Sequence, residues 1–323
     1  VVIYMQKTGK KIPLLVLLGP TAVGKTALSV ELAARLGGEI ISGDSMQFYR
    51  YMDIGTAKIR PCEMLVASGQ LIPHHLLDIV NPDQPYTVAD FQRDAAAKIR
   101  EIAERGKLPM LVGGTGLYVQ ALADGYDLAE TASADEELRA RLKQDYQALG
   151  GEQMHARLAA VDPVAAARIF PNDAKRLLRA LEVYELTGQP ISTLGRAVDS
   201  PYNVLFLGLN REREQLYRRI EQRVDIMLAD GLEAECVYLL QAGFGADCKP
   251  MCGLGYRQMC QYLQGEIDYD EAVRLIKRDT RRFAKRQLTW WRRDERVHWF
   301  RPDLQPPEEI LAEMAALAHE YFD

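Results

Sequence analysis

The sequence predicts an α/β protein: a parallel-sheet core of the P-loop NTPase type with a helical insertion domain. Three observations carry this. Gly19-Pro20-Thr21-Ala22-Val23-Gly24-Lys25-Thr26 fits the phosphate-loop pattern G-x-x-x-x-G-K-[ST] in full. Around and beyond it, short apolar runs alternate with helical patterns in βαβα order, as in parallel strands joined by crossover helices. After Gly125 the texture changes to helix after helix, until a strand-like run resumes at Tyr202.

A strand is expected over 12–18 and a helix over 27–36, with the phosphate loop between them. A buried strand feeding a Gly-rich turn into a helix gathers backbone N–H groups and the positive end of the helix dipole at one spot. There Lys25 reaches the outer phosphates, and the Thr26 hydroxyl can ligate Mg²⁺. The chain is therefore expected to bind a di- or triphosphate, and the motif does not say which. A second strand is expected over 39–42. A helix over 90–105 follows, opened by a capping box of Thr87 and Asp90, and then a third strand over 109–112. Residues 130–184 read as helices broken at Gly150-Gly151, Asp162-Pro163 and Pro171-Asn172-Asp173, with a stop at Gly188 and Pro190. A return strand over 202–209 precedes long helices over 212–229 and 232–241. The expected organisation is a core of residues 1–125 and 201–323, interrupted by a helical insertion of 126–200.

Composition bounds the protein without identifying it. With 323 residues, 48% hydrophobic and 26% charged, the chain has material for one large domain and an elaboration. No apolar stretch approaches a membrane span and no signal peptide is visible, so a cytoplasmic protein is expected, with its natural start at Met5. The five cysteines form neither a C-x-x-C pair nor a His-containing zinc pattern, and are expected to be reduced structural thiols. A net charge of −5 argues weakly against nucleic acid, but the charge is unevenly placed. Residues 274–296 carry ten Lys and Arg against Asp279, Asp294 and Glu295, with Trp290 and Trp291 among them. Such a basic helix suits a phosphate backbone, and taken alone it reads equally as a solvated helix face.

Four segments can carry chemistry. Gly43-Asp44-Ser45-Met46-Gln47 follows the second strand, at the sheet edge that faces the ligand crevice in parallel α/β folds. Asp44 there can hold Mg²⁺ or take a proton from a nucleophile; the alternative is a turn or N-cap aspartate. Gly113-Gly114-Thr115-Gly116 follows the third strand, where Thr115 can donate to a phosphate or sugar, or the turn is purely structural. Arg219 and Arg223 lie four apart on one helix face, placed to clamp a diphosphate or to pair with acids such as Glu221. Gly255-Tyr256-Arg257-Gln258 offers a stacking ring, a guanidinium and an amide, a combination suited to an unstacked base.

Together these segments resemble the tRNA dimethylallyltransferases, also called tRNA isopentenyltransferases, over nearly the whole chain. The likeness rests on GPTAVGKT at 19–26, ISGDSMQFYRYMDIGTAK at 41–58, PHHLLD at 73–78 and GGTGLY at 113–118. It continues with NDAKRLLRALEVYELTGQP at 172–190, GYRQM at 255–259 and AKRQLTWWR at 284–292. The phosphate loop is shared with many proteins, whereas the DSMQ…DIGTAK segment is specific to this family. The resemblance implies transfer of a dimethylallyl group from dimethylallyl diphosphate to N6 of the adenosine 3′ to the anticodon, position 37 of the tRNA. It makes Asp44 the general base. Lys25, Thr26, the amides of residues 19–26 and an arginine, Arg219 in preference to Arg223, become the diphosphate site, with Mg²⁺ on Thr26. It implies tRNA contacts from Asp44, Ser45, Met46 and Gln47, from Thr115, and from Arg139. Further contacts are implied for Lys175, Arg176, Leu177, Leu178 and Arg179, and for Gly255, Tyr256, Arg257 and Gln258. The basic helix adds Lys277, Arg278, Arg281, Arg282, Lys285, Arg286 and Trp290. Partners are then the tRNA anticodon stem-loop and dimethylallyl diphosphate, bound by a monomer with no membrane attachment. The C-terminal zinc finger of some eukaryotic relatives is not expected.

Two other classes fit parts of the sequence. A P-loop nucleoside or small-metabolite kinase shares the loop and the aspartate but has no use for a basic, Trp-bearing helix. An NTP-dependent RNA-binding switch has no need of Asp44 beside a reacting atom.

Overall fold

The computed structural model describes residues 11–126, 135–193, 199–246 and 248–323. The chain divides into two compact units, Val1–Ala123 with Pro201–Asp323 and Asp124–Ser200. Unit 1 begins with β1 (Ile12–Leu18), α1 (Lys25–Leu36), β2 (Gly38–Ser42), β3 (His74–His75), α2 (Val88–Glu104), β4 (Leu108–Gly113) and α3 (Gly116–Ala123). Unit 2 holds α4 (Glu136–Leu149), α5 (Gly151–Val161), the one-turn α6 (Pro163–Ala166) and α7 (Ala174–Thr187). Unit 1 resumes with β5 (Tyr202–Leu209), α8 (Arg213–Ala229), α9 (Leu232–Gln241), α10 (Tyr256–Leu263), α11 (Tyr269–Trp291), β6 (Val297–Phe300) and α12 (Pro307–Phe322).

The six strands form one parallel sheet in the order β3-β2-β4-β1-β5-β6. β1 lies between β4 and β5, with Leu17 opposite both Val112 and Leu207. Its side chains alternate between two cores, as the two-residue period of a strand requires. Leu14, Val16 and Leu18 join Phe91 and Ile99 of α2, Cys236 of α9, Met259 of α10 and Ile276 of α11. Leu15 and Leu17 join Leu32 of α1, Ile220 of α8 and Met314 of α12. Cover on both faces explains why β1 reads as an unbroken apolar run.

Parallel connectivity brings the loops after β1, β2 and β4 to the same sheet edge. Their approach is close enough to demand glycine. A Cβ on Gly113 would lie 2.4 Å from the carbonyl carbon and oxygen of Gly43. α2 carries the reciprocal box its sequence suggests, Asp90 N donating to Thr87 Oγ1 at 3.2 Å and Thr87 N donating to Asp90 Oδ2 at 3.0 Å. β3 and β6 have no counterpart in the sequence reading: β3 is only two residues long, and β6, Val297-His298-Trp299-Phe300, is no unbroken apolar run. α3 begins at Gly116, inside a segment that reads as a turn.

Unit 2 has its own core, in which Leu138, Leu142, Met154, Leu158, Leu177 and Leu181 meet. Asp162 is buried between two of its segments and accepts from the N–H groups of Ala165 and Ser192, both at 2.9 Å. Among the described residues no helix is long and apolar enough to cross a membrane.

Replacing Gly113 with Ala forces two strand ends apart, an overpacking expected to destabilise the protein by about 1–3 kcal/mol. A lower urea midpoint at unchanged slope would register it.

Candidate active site

The phosphate loop joins β1 to α1. Gly19 sits at φ 147°, and a Cβ there would lie 2.6 Å from the Leu209 carbonyl oxygen. Ala22 at φ 63° and Gly24 at φ 110° curl the loop further, and Ala22 does so without glycine's freedom. Three cationic side chains hold the loop's carbonyls. Arg219 Nε donates to Ala22 O at 2.8 Å and Arg211 Nε to Val23 O at 2.9 Å. Lys25 Nζ donates to Gly19 O and Pro20 O at 2.8 and 2.9 Å. Ala22 and Val23 have buried side chains and offer only their backbone.

Asp44 stands just past β2. Its Oδ1 accepts from Met46 N at 3.0 Å, an Asx turn that fixes the carboxylate against its own loop. Burial pushes the carboxyl above the usual carboxylate range, against the pull of the Met46 N–H, Lys25 and Arg223. Burial and the neighbouring Arg223 bring the Lys25 ammonium down to about 8, against the attraction of Asp44. The Arg223 side chain makes no hydrogen bond or ion pair with a described residue; its charge is felt by Asp44, Glu63 and Arg219.

Two cavities meet at these residues. The first, about 750 Å³, is lined by residues 21–27 of the loop and helix start, by Arg219 and Arg223 of α8, and by Asp44. The second, about 650 Å³, is lined by Ser45, Met46, Leu254, Arg257, Phe283 and the α11 arginines Arg278, Arg282 and Arg286. Thr21, Asp44, Thr56 and Arg223 line both. The result is a carboxylate at the junction of a cavity that holds Lys25, Arg219, Arg223, Glu31 and Glu63 and a chamber walled by arginines.

One residue that ties the site together, Gln287, carries no motif of its own in the sequence. Gln287 of α11 accepts from Thr21 N at 2.9 Å and donates to Gly114 O at 3.1 Å, so one buried amide links the phosphate loop to the loop after β4. The signal was there. Gln287 falls on the buried α11 face of Ile276, Thr280, Ala284 and Trp291, where a polar residue needs partners. Thr115 works beside it, its Oγ1 accepting from Ser45 N at 3.1 Å and donating to Ser45 Oγ at 3.4 Å. Gln47 is a brace. Its Oε1 accepts from Ser42 Oγ at 2.9 Å, and its Nε2 donates to Thr56 O at 3.3 Å.

The DIGTAK segment is anchored from α9. Glu235 accepts the N–H groups of Asp53 and Ile54 at 2.8 Å each, that of Gly55 at 3.0 Å, and the Tyr256 hydroxyl at 2.6 Å. Lys58, nearly buried, pairs with Asp53 at 2.5 Å and Asp78 at 2.6 Å.

Several expected RNA contacts are corrected by their burial. The Tyr256 ring is fully buried against Gly55, so it presents no face to a base. Gln258 is buried too, capping α10 through Gly255 N at 3.0 Å and donating to Asp279 at 3.1 Å. Gly255 is buried, and of this tetrapeptide only Arg257 is exposed. Leu177 lies in the core of unit 2, and Leu178 packs against that core. Arg139 and Arg179 both pair with Glu182, at 2.6 and 2.8 Å, while Lys175 and Arg176 are exposed.

The basic helix is not a uniform cationic face. Lys277 pairs with Asp225, and Arg281 with Glu221, both acids on α8 and both at 2.5 Å. Arg278 holds Asp279 at 2.8 Å and keeps that carboxyl below its usual range, while Arg282 reaches it at 3.6 Å. The side chains of Lys285 and Arg286 make no hydrogen bond or ion pair with a described residue; Arg286 lies over the Phe283 ring. Trp290, half exposed, stacks where a Gly116 side chain would be.

Thr26 is exposed at the rim of the first cavity. Among the described residues no three His, Cys, Asp or Glu gather to hold a metal. Thr26 and Asp44 both line the first cavity and carry oxygen donors of the kind Mg²⁺ accepts beside phosphate oxygens and water.

The family model described as IPP transferase matches residues 47–294, and that described as isopentenyl transferase matches residues 12–70. The tRNA dimethylallyltransferase of Symbiobacterium thermophilum is 55% identical over 300 residues, covering 92% of this chain and 91% of its own. That of Carboxydothermus hydrogenoformans is 51% identical, with 92% and 94% covered. The full-length tRNA isopentenylpyrophosphate transferase of Bacillus halodurans superposes with a TM-score of 0.73 at 45% identity, covering 97% of each chain. A eukaryotic dimethylallyltransferase captured acting on tRNA gives 0.77 at 28% identity, covering 94% of this chain and 77% of its own.

Gln287→Ala leaves Thr21 N and Gly114 O unpaired beneath the site. The expected loss is about 1–3 kcal/mol of stability, read by denaturant titration, together with weaker binding of inorganic diphosphate, read by calorimetry.

Proposed function

The chain belongs to the tRNA dimethylallyltransferase family, and from that premise we propose that it transfers a dimethylallyl group from dimethylallyl diphosphate to N6 of adenosine 37, 3′ to the tRNA anticodon. The observation that carries this reading is the position of Asp44 at the junction of the two cavities. The diphosphate would occupy the first and the adenosine the second, with the reacting carbon between them.

The chemistry follows from what each group can do. The N6 lone pair is delocalised into the adenine ring, so N6 attacks well only as its proton leaves. As the bond from N6 to C1 of the dimethylallyl group forms, the C1–O bond breaks and its electron pair departs with the diphosphate. Asp44 takes the N6 proton, and its burial-raised pKa makes it a stronger base than an ordinary carboxylate. Lys25, Arg219, Arg223 and the loop amides stabilise the diphosphate as its charge grows. Of the two arginines, Arg223 has the side chain without a described partner, whereas Arg219 holds the Ala22 carbonyl. Mg²⁺, held by Thr26 and the diphosphate oxygens, would supply further neutralisation of the leaving group.

Arg257, Arg278, Arg282, Lys285, Arg286 and Trp290 are then the RNA-facing groups of unit 1, and the exposed cations of unit 2 add to them. The target base leaves its stack to reach Asp44, at an unstacking cost of about a few kcal/mol. We place the reaction in the cytoplasm and assign it to a monomer. A kinase reading leaves the arginine-walled chamber without a use.

With Mg²⁺, labelled dimethylallyl diphosphate and unmodified tRNA, label is expected on the adenosine next to the anticodon; RNA that stays unlabelled would sink the reading. Asp44→Ala is expected to lower kcat by about 10²–10⁴ while tRNA affinity in a filter assay holds. The pH profile of kcat/KM should be bell-shaped. The acid limb lies above the ordinary carboxylate value, because Asp44 must be deprotonated to act. The alkaline limb falls near 8, because Lys25 must keep its proton to hold the diphosphate. Lys25→Arg should move that limb beyond the measurable range.

A further inference from the structure

Phe170 is the most exposed large apolar side chain among the described residues, at 75%. Its backbone, in contrast, is tightly fixed within unit 2. Phe170 O accepts from Asp173 N at 2.9 Å, closing a turn into α7. Pro171 O accepts the Tyr146 hydroxyl at 3.1 Å and lies 2.3 Å from where a Gly151 Cβ would be, so the turn is pressed onto the start of α5. On the other side, the N–H groups of Arg168 and Ile169 both reach Ala165 O at 3.0 Å. A ring held on so firm a turn and left in water is presented to something.

Its surroundings say what. Of the ring's exposed sequence neighbours Ala167 is small and apolar, whereas Arg168, Asn172, Lys175 and Arg176 are polar, and three of those are cations; the next exposed apolar side chain back along the chain, Val164, is six residues away. The only carboxylate between Arg168 and Arg176 is Asp173, which accepts from Arg176 N at 3.2 Å and touches the guanidinium only at 3.6 Å. A protein partner would ask for a contiguous apolar patch. A single-stranded nucleic acid asks for one ring face to stack a base and for cations to meet the flanking phosphates.

We infer that Phe170 is a stacking platform for one unpaired nucleotide of the RNA substrate, with Arg168, Lys175 and Arg176 on its adjoining phosphates. This rests on the tRNA-modifying reading. The stacked nucleotide is not the prenylated adenosine, whose N6 must reach Asp44.

The test uses the full chain and an unmodified anticodon stem-loop RNA, with affinity read by fluorescence anisotropy and folding by thermal melting. Phe170→Ala should raise Kd about 5- to 150-fold, the range that loss of one base–aromatic stack gives, at an unchanged melting midpoint. Phe170→Trp should bind like the parent, and Phe170→Leu, which keeps apolar bulk without a ring, should bind like Phe170→Ala. An abasic site placed at each loop position in turn should weaken the parent at one position and leave Phe170→Ala indifferent there. Phe170→Ala binding the RNA as the parent does would assign the ring to another partner and overturn the inference, as would full affinity in Phe170→Leu. Failure of the tRNA reading is separate: the parent itself would then leave the RNA unlabelled by dimethylallyl diphosphate.

Discussion

The carboxamide of Gln287 is an acceptor at one end and a donor at the other, and the site needs both ends. Its oxygen takes the Thr21 N–H and its nitrogen serves the Gly114 carbonyl. A carboxylate could not serve the carbonyl and an ammonium could not serve the N–H, each in its ordinary protonation state. The amide also pins α11, and with it the arginines at its surface, to the two loops that frame the first cavity. One side chain of α11 thereby ties the loops beside the first cavity to the helix whose arginines wall the second. Gly113 lets the loops after β2 and β4 lie close, since any side chain there would push them apart.

Around Asp44 the balance of charge decides the chemistry. Lys25 and Arg223 flank the buried Asp44 carboxylate, and Arg219 stands at the exposed rim of the same cavity, which Glu31 and Glu63 also line. Burial of Asp44 works in the opposite sense from those cations and prevails, leaving a base of raised pKa beside a phosphate site. The loop gives up some stability for its shape. Ala22 in the left-handed region costs about 1–2 kcal/mol, offset by the hydrogen bond from Arg219 to its carbonyl.

Much of this was legible in the sequence, and the remainder has physical reasons. β1, the phosphate loop and Asp44 could be placed because strand, turn and helix follow in order and each motif falls at the C-terminal end of a strand. Motif membership does not say which way a side chain points. Tyr256 and Gln258 stand in the first turn of α10 and face inward, toward Glu235 and Asp279, so residues that read as base contacts are part of the scaffold. Leu177 reads as an RNA contact along with its charged neighbours, yet its place on α7 is a core position. Gln287 erred in the opposite direction, a lone amide in a basic helix that reads as solvent-facing until its spacing from Ala284 and Trp291 is considered. β3 is too short to carry a pattern and β6 is interrupted by His298, and both pair with an edge that β2 and β5 offer.

The ion pairs between α11 and α8 bear on how the protein feels salt. Binding to RNA displaces condensed counterions from phosphates, and the steepness of the salt dependence counts the cations that take their place. Lys277 and Arg281 are already neutralised by Asp225 and Glu221 within the protein. They can stiffen the helix pair without entering that count. The ten cations of residues 274–296 therefore overstate the electrostatic share of RNA affinity.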